Sequence, residues 1–451
     1  MVGVKRRPAA PFTAEIEGLT HDGRGISRVE GKVWFVEGAL PGETVLVRPM
    51  RGRRSYSLGR AEKLFSESSE RCTPCCPVFG TCGGCALQHL EHNAQVNFKR
   101  QTLLEALQKE GIAWTAPVEV ISAEPWHYRR KARLGVRLVP KKGGILVGFR
   151  ERHSSYITPL TTCPVIHPSV DSILAALPEL VESLSVPSRI PQIEVAAGEN
   201  ATALIFRHLS PLTEEDVAKL THFGRVNNML MYGQANGPDS IQPVYPPDPA
   251  LLQYALPDFS LTFYFRATSF VQVNALVNQQ LVGTVIDWLA IGPDDRLLDL
   301  FCGIGNFSLP AARLARQVIG VEGDATLVQL AAENARWNGV KNAVFEARDL
   351  FDPELNHWRL PECSRLLLDP PRTGALEVLK RVINGPKPQL LAYVSCNPAT
   401  LARDARFLTE SQSYRLERLT VADMFPHTAH IESAALFRRV DNPGTGVSEK
   451  G

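Results

Sequence analysis

The sequence predicts a multidomain protein with a small N-terminal β-barrel, a central α+β domain and a C-terminal doubly wound α/β domain. Three observations support this prediction. Short β-rich runs punctuated by Gly and Pro fill residues 8–66. Residues 67–264 contain a cysteine cluster and a mixed pattern of helices and strands, and over 265–440 strands alternate with helices. The Gly- and Ser-containing tail, 441–451, is predicted to be disordered.

Charge is distributed unevenly along the chain, although the formal net charge is only +2. Residues 1–60 hold 11 Lys/Arg and 6 Asp/Glu, and residues 126–153 hold 9 and 1. Two basic regions on an acidic remainder favour a polyanionic partner over two solvated faces. The longest uncharged run, 267–286, carries five amide side chains, which argues against a membrane span. We therefore expect a soluble cytoplasmic protein.

The N-terminal barrel has the length and punctuation of the oligonucleotide-binding type, whose surfaces hold RNA. Arginines crowd its last strands, namely Arg48, Arg51, Arg53, Arg54 and Arg60. A basic loop without a partner explains this segment equally well when it is taken alone.

Five of the nine cysteines fall within residues 72–85. In a cytosolic chain such a cluster indicates a metal or iron–sulfur site rather than a disulfide framework. Cys76, Cys82 and Cys85 have the spacing C-x5-C-x2-C, and a glycine pair lets the backbone wrap tightly around them. This spacing favours an iron–sulfur cluster only slightly over zinc.

A fourth ligand is needed in either case. Cys163 is the isolated cysteine nearest in sequence outside the C-terminal half. Zinc stays open as an alternative, because Cys72 and Cys75 could supply a second tight pair.

Residues 126–137 are predicted to form a strand in which aromatic and basic side chains alternate. With a period of two, one face carries Arg129, Lys131, Arg133 and Arg137. Basic side chains interleaved with aromatic ones suit the phosphates and unpaired bases of RNA. We predict that this face contacts RNA.

The C-terminal half contains a nucleotide-binding pattern. A strand at 296–300 runs into a loop with Gly303 and Gly305, which lets backbone amides approach a ligand. Glu322 ends the next strand, where a carboxylate can bind both ribose hydroxyls, and Asp349 follows the third strand, near an adenine edge. The loop lacks the third glycine of dinucleotide sites, so S-adenosylmethionine is favoured over NAD.

Two further strand ends supply reactive groups. The apolar run 390–394 ends in Ser-Cys396-Asn-Pro, so the thiol is expected at the carboxyl edge of the sheet. Glu432 begins the last strand and brings an acid to the same edge. The fourth strand ends in Asp369-Pro-Pro-Arg372, and an arginine in place of an aromatic residue disfavours methylation of exocyclic amines.

The motifs DLFCGIGNF, LLLDPPRTG, VSCNPATLARD and MFPHTAHIES, in this order, resemble the RNA 5-methyluridine methyltransferase family. CPVFGTCGGCALQH, YRRKAR and the barrel resemble one branch, the bacterial 23S ribosomal RNA uracil-C5-methyltransferases with a TRAM domain and a [4Fe–4S] cluster. The resemblance covers residues 8–440.

The resemblance implies a role for each motif residue. Cys396 would be the nucleophile and Glu432 the base. The implied S-adenosylmethionine contacts are Gln272, Phe301, Asn306, Glu322, Asp349 and Asp369, the last touching the cofactor, the uracil or both. The implied cluster ligands are Cys76, Cys82, Cys85 and Cys163. The implied partner is 23S ribosomal RNA with an unstacked target uridine, and the protein is expected to act as a monomer.

The chemistry of the reaction calls for the same groups. Uracil C5 becomes nucleophilic when a thiolate adds to C6, and a base must then remove the C5 proton. Two alternatives remain at this point. One is cytosine-C5 methylation, which also uses a cysteine, and the other is a catalytically silent RNA-binding protein.

Overall fold

The protein is described by a computed structural model that covers residues 10–52, 55–237, 240–352 and 358–440. The predicted tail at 441–451, the first two residues of the predicted barrel, and Arg53 and Arg54 lie outside these ranges. The described chain forms sheets of six, seven, two and eight strands. In this part of the chain no helix is long and apolar enough to cross a membrane.

The N-terminal β-rich segment folds into a curled six-stranded sheet. Its strands are β1 (Phe12–Glu15), β2 (Gly18–Leu19), β3 (Gly25–Val29), β4 (Lys32–Glu37), β5 (Thr44–Gly52) and β6 (Tyr56–Ser66). They lie in the order β1-β5-β6-β4-β3-β2. The amide of Glu17, just after β1, donates to the carbonyl of Ile26 on β3 at 2.8 Å. This bond brings the two sides of the sheet together around a small apolar core that includes Val36, Val45 and Val47.

Two elements from before residue 125 pack on the C-terminal part of the protein. They are α1 (His92–Lys109) and β7 (Glu119–Ile121). Leu103 and Leu107 of α1 are fully buried in the core of the C-terminal sheet. β7 is the edge strand of that sheet. The region that the sequence assigns to a central domain therefore contributes directly to the C-terminal sheet.

A seven-stranded sheet forms the middle of the molecule. Its strands are β8 (Lys131–Val139), β9 (Gly144–Arg150), β10 (Ile157–Pro159), β11 (Gln192–Ala197), β12 (Thr202–Arg207), β13 (Met229–Gln234) and β14 (Ile241–Tyr245). They lie in the order β10-β9-β8-β11-β12-β13-β14. The helices of this region are α2 (Pro168–Asp171), α3 (Leu177–Ser183) and α4 (Glu214–Asn227). Thr213 and Asp216 close a capping box at the start of α4, which explains where that helix begins.

The predicted alternation of strands and helices in the C-terminal half is confirmed. A separate hairpin comes first, formed by β15 (Leu252–Leu256) and β16 (Leu261–Phe265). The strands that follow are β17 (Arg296–Leu300), β18 (Gln317–Glu322), β19 (Ala343–Ala347), β20 (Arg365–Leu368), β21 (Leu390–Ser395), β22 (Tyr414–Ala422) and β23 (Glu432–Arg439). With β7 they form an eight-stranded sheet of order β19-β18-β17-β20-β21-β23-β22-β7. The helices are α5 (Ala275–Leu289), α6 (Ser308–Ala312), α7 (Ala325–Trp337), α8 (Leu376–Ile383) and α9 (Pro398–Glu410).

Local sequence explains how this sheet is built. All six residues of β21 are buried, as expected for a central strand of a sheet that is covered on both faces. Asp324 caps α7 by accepting the Thr326 amide at 2.7 Å. Asn397 caps α9 in the same way, and Pro398 occupies its first turn. These caps place helix starts just after the strand ends that carry the candidate site.

Candidate active site

The carboxyl ends of neighbouring strands define one edge of the eight-stranded sheet. Glu322 ends β18, Asp369 follows β20, and Cys396 follows β21. β23 runs antiparallel to β21 with Ser395 opposite Ser433, so Glu432 begins β23 at the same edge. The predicted nucleophile, the predicted base and two predicted cofactor residues are therefore brought together, as the sequence led us to expect.

The loop after β17 has the backbone of a ligand-binding turn. Phe301, Gly303 and Gly305 have positive φ angles of 68°, 54° and 89°. The Gly303 amide donates to one carboxylate oxygen of Glu322 at 3.1 Å, and the Gly323 amide donates to the other at 2.8 Å. These bonds hold Glu322 at the end of β18, facing the loop.

Asn306 and Gln272 are connected by two residues that the sequence analysis missed. Asn306 Oδ1 accepts the hydroxyl of Tyr254 at 2.9 Å, and Asn306 exchanges two amide bonds with Asn278. Gln272 lines a small cavity together with Tyr254, Asn278 and Arg130. No local pattern marks Tyr254, because it belongs to a hairpin that precedes the strand-and-helix alternation.

Phe301 and Asp349 lie beside the same turn. The ring centroids of Phe301 and Phe351 are 5.4 Å apart. Asp349 Oδ1 accepts the amide of Phe351 at 2.9 Å, which shapes the turn after β19. All six predicted cofactor residues therefore lie on loops or strand ends that lead into this edge or on the network beside it.

Three buried or partly buried carboxyl groups lie at the site, those of Asp299, Asp369 and Glu432. Burial raises the pKa of Asp299 to about 8. Burial also raises the pKa of Asp369, with Glu322 as a further cause, although part of the Asp369 surface stays accessible. The pKa of Glu432 is raised well above its usual value by burial and by Asp369, and it is lowered by Arg372. Neighbouring carboxyl groups of this kind share protons near neutral pH.

Arg372 is a cation that acts on both Cys396 and Glu432. Burial and Glu432 raise the pKa of the Cys396 thiol, whereas the nearby Arg372 guanidinium lowers it. The carbonyl of Arg372 accepts the side-chain amide of Asn397 at 3.0 Å, which ties the Asp-Pro-Pro-Arg loop to the start of α9. Sequence reasoning used Arg372 only to disfavour amine methylation and missed its approach to the thiol.

A groove of about 2150 Å³ passes the site and extends to the N-terminal barrel. Its lining includes Cys396 and Arg372 from the site and His21, Asp22 and Arg24 from the barrel. It also includes the basic face that the sequence predicted, namely Arg129, Lys131, Arg133 and Arg137. A groove with this basic face suits a polyanion.

One side chain of the predicted basic face differs from the sequence prediction. Lys131 does not present a free ammonium group, because its Nζ donates to the carbonyls of Ala267 (3.1 Å) and Ser269. Burial lowers the pKa of Lys131 to about 8. The Lys131 side chain therefore contacts the loop before α5.

Phe270 lies in the loop before α5, is 73% exposed and lines the groove with Cys396. Sequence reasoning missed it because an apolar residue in a loop gives no sign of exposure.

Two histidines near Glu432 have structural partners. His427 is buried, stacks on Trp126 with ring centroids 3.8 Å apart, and its Nδ1 lies 3.2 Å from the side-chain amide of Gln95. Burial lowers its pKa to about 4. His430 Nδ1 lies 3.3 Å from an amino group of Arg372.

The predicted cluster ligands lie in one neighbourhood. Cys85 packs against the hydrophobic core that contains Cys163. Burial first, and then Cys163 and Cys76, raise the pKa of the Cys82 thiol. The same neighbours, together with Cys82, contribute to raising the pKa of Cys85 to about 12, where burial is again the main cause. Across the described ranges, no three His, Cys, Asp or Glu side chains are arranged as a ready metal site, so these thiols are neighbours without convergent geometry.

The chain was compared with protein-family models and curated proteins. The model "tRNA (Uracil-5-)-methyltransferase" matches residues 252–440, and the TRAM domain model matches residues 10–61. The 23S rRNA (uracil(1939)-C(5))-methyltransferase RlmD of Azoarcus sp. is 48% identical, over 95% of this chain and 99% of that protein. The protein of the same name from Methylococcus capsulatus is 46% identical, over 96% and 98%.

Among solved structures, the Pyrococcus abyssi tRNA (uracil-54, C5)-methyltransferase in complex with S-adenosyl-L-homocysteine matches with a TM-score of 0.73. It is 24% identical, and the match covers 94% of this chain and 99% of that chain. This likeness establishes a shared fold over nearly the whole length.

Proposed function

We propose, from the premise that this chain belongs to the 23S rRNA uracil-C5-methyltransferase family, that it transfers a methyl group from S-adenosylmethionine to C5 of a uracil in 23S ribosomal RNA. The observation that carries the proposal is that Cys396, Glu432, Asp369 and Arg372 meet at the same edge of the sheet, where Cys396 and Arg372 line the groove. The proposed target is the uridine that corresponds to uracil 1939 in the relatives' names. A monomeric state and a cytoplasmic location stay predictions.

In the proposed first step, Cys396 adds to C6 of the uracil. The thiolate is the reactive form. Arg372 stabilises it electrostatically, since it lowers the thiol pKa against burial and the charge of Glu432. The bond from sulfur to C6 turns C5 into an enolate-like carbon, and that carbon attacks the methyl group. S-adenosylmethionine would supply this methyl group as an electrophile when it is bound, the bond between its sulfur and the methyl carbon breaking to leave S-adenosylhomocysteine. The proposed cofactor contacts are Gln272, Phe301, Asn306, Glu322, Asp349 and Asp369.

In the last step, Glu432 removes the C5 proton. The electron pair of the C5–H bond then forms the C5–C6 double bond, and the C6–sulfur bond breaks to regenerate the Cys396 thiolate. Glu432 must be ionised to accept the proton. Arg372 lowers its pKa, and Asp369 can hold a proton in its place, because two such carboxyl groups do not ionise together readily.

Release of tritium from C5-labelled uridine in 23S ribosomal RNA tests this function. We expect release that depends on S-adenosylmethionine and matches the methyl groups transferred one for one. Absence of release would favour the RNA-binding protein without catalysis. Release from labelled cytidine would favour cytosine-C5 methylation.

The basic face of the groove is proposed to hold RNA phosphates through Arg133 and Arg137, both of which are exposed. Replacing both with alanine is expected to weaken RNA binding. The slope of log affinity against log salt should become shallower by about 0.7 to 0.9 for each phosphate that is no longer neutralised. Arg336→Ala, which removes an exposed arginine outside the groove, serves as the control. An unchanged salt slope in the double variant would contradict RNA binding at this face.

We also propose that Cys76, Cys82, Cys85 and Cys163 hold a [4Fe–4S] cluster. The donor set fits, because burial and neighbouring thiols raise the pKa of Cys82, Cys85 and Cys163, and a bound cation would relieve that cost. The Gly84 amide also donates to Cys82 Sγ at 3.4 Å, a contact typical of cluster loops. The proposed role is structural: the cluster would hold residues 76–85 against Cys163.

Protein purified without oxygen should be brown and contain about four irons per chain, as a cubane cluster requires. Cys85→Ala should lose most of the iron and much of the thermal stability. Cys72→Ala is the matched control and should keep both, because the charges that act on Cys72 come from Glu91, Arg71 and Cys75. Stoichiometric zinc without visible absorbance would contradict the cluster.

A further inference from the structure

The loop that connects β22 to β23 ends at Glu432, the proposed base. We call residues 423–431 the base loop. Part of it forms the groove wall beside Cys396. Its central carbonyl, that of His427, accepts the amides of Ala86 and Leu87 at 2.8 and 2.9 Å. The base loop is therefore bonded to the residues directly after Cys85, which are far away in sequence.

Lys99 is the charged group that binds this loop most extensively. It lies in the middle of α1, and its side chain is 0% exposed. Its Nζ donates to Asp423 Oδ1 at 2.5 Å and to the carbonyl of Phe425 at 2.9 Å. His92 Nε2 lies 2.7 Å from the other carboxylate oxygen of Asp423. One buried ammonium group thus binds the first residue of the base loop and a backbone oxygen two residues further along.

A purely stabilising role explains this arrangement poorly. A buried ion pair gains little stability, because the cost of removing two charges from water is close to the attraction that is recovered. Leu103 and Leu107 already bury the same helix against the sheet. What Lys99 adds is a charged anchor at two points of a loop that neutral bonds also hold, such as those from the Asp423 amide to Ile121 and from the Tyr128 hydroxyl to Pro426.

We propose that Lys99 is a positioning residue for proton abstraction, an inference that rests on the proposed methyltransferase function. It holds the base loop closed beside Glu432, which keeps that buried carboxyl group shielded from water and in position next to Cys396. Addition to C6 and methyl transfer depend on Cys396 and Arg372, which lie on other loops. Loss of Lys99 should therefore slow the last step and leave the first two intact.

The test uses the double variant Lys99→Met/Asp423→Asn. Lys99→Met alone would leave Asp423 buried without its cation and could fail to fold, whereas the double variant removes both charges and leaves the pair neutral. We expect native circular dichroism, unchanged RNA affinity and an unchanged single-turnover rate of methyl transfer. Release of the C5 proton should fall by roughly 10- to 100-fold, the scale of a misplaced catalytic group. A methyl-labelled RNA–protein adduct should accumulate on denaturing gels.

Arg71→Met/Glu43→Gln is the matched control. This ion pair is comparably buried, with side chains 14% and 0% exposed, and Arg71 bonds Glu43 and the carbonyl of Gly38 rather than the base loop. It should show no adduct. The inference is overturned if the Lys99/Asp423 variant slows methyl transfer and proton release equally, or if it turns over normally. Absence of methylation by the unaltered protein would instead refute the proposed function itself.

Discussion

Cys396→Ala is expected to abolish methyl transfer while the protein still folds and binds RNA. Without the thiol nothing adds to C6, so C5 never becomes a nucleophile and the methyl group has no acceptor. The loss should be on the order of 10⁶-fold, the scale seen when an enzyme loses its nucleophile. Neither labelled RNA nor a covalent adduct should form in a filter assay and on denaturing gels.

Cys396→Ser should be nearly as inactive, because a hydroxyl group is a far weaker nucleophile than a thiol near neutral pH. Cys363→Ala is the matched control, since it removes a half-buried thiol that does not line the groove. It should keep normal activity. Turnover by Cys396→Ala above background would refute the covalent mechanism.

Glu432→Gln is expected to stop the reaction at a later point and to trap the enzyme on its substrate. The side chain keeps its size and hydrogen bonding but cannot accept a proton. Cys396 can still add to C6 and the methyl group can still move, yet the C5 proton has no acceptor. Turnover should fall by about 10² to 10⁴-fold, the usual contribution of a general base. A methylated RNA–protein adduct should survive denaturing electrophoresis.

The control is Glu417→Gln, which removes an acid on the same sheet that is bonded to Arg438, and it should give no adduct. Normal turnover by Glu432→Gln would mean that another residue is the base. His430 would then be the next candidate, because it lines the groove with Cys396, whereas His427 is buried against Trp126. Complete loss of adduct would place Glu432 before methyl transfer, in binding or in activation of the thiol.

The ionisation of Glu432 and of the Cys396 thiol explains why the site needs Arg372. Burial and Asp369 raise the pKa of Glu432, and burial and Glu432 raise the pKa of the Cys396 thiol, so the unreactive protonated forms are favoured. Arg372 opposes both shifts from one position. In the sequence, Arg372 served only to disfavour methylation of exocyclic amines. In the structure it favours the thiolate of Cys396 and the ionised carboxylate of Glu432.

The sequence by itself determined the features that depend on local pattern. The run before Cys396 is buried at every residue because uniformly apolar strands belong in the centre of a parallel sheet. Asp324 and Asn397 mark helix starts because their side chains accept free amides of the first turn. Since parallel strands end at a common edge, these local features were enough to place Cys396 there, and Glu432 reaches the same edge because β23 runs antiparallel to β21.

Only the tertiary structure decided which distant side chains complete the site. Lys99 and Asp423 are 324 residues apart in sequence, and nothing in the composition of α1 indicates that one of its lysines is fully buried. The insertion of β7 beside β22, the bonding of Lys131 to the loop before α5, and the approach of Arg372 to the thiol are equally invisible locally. The physical reason is that periodicity and caps depend on neighbours within a few residues, whereas burial, pKa and ion pairing depend on which surfaces meet after the chain has folded.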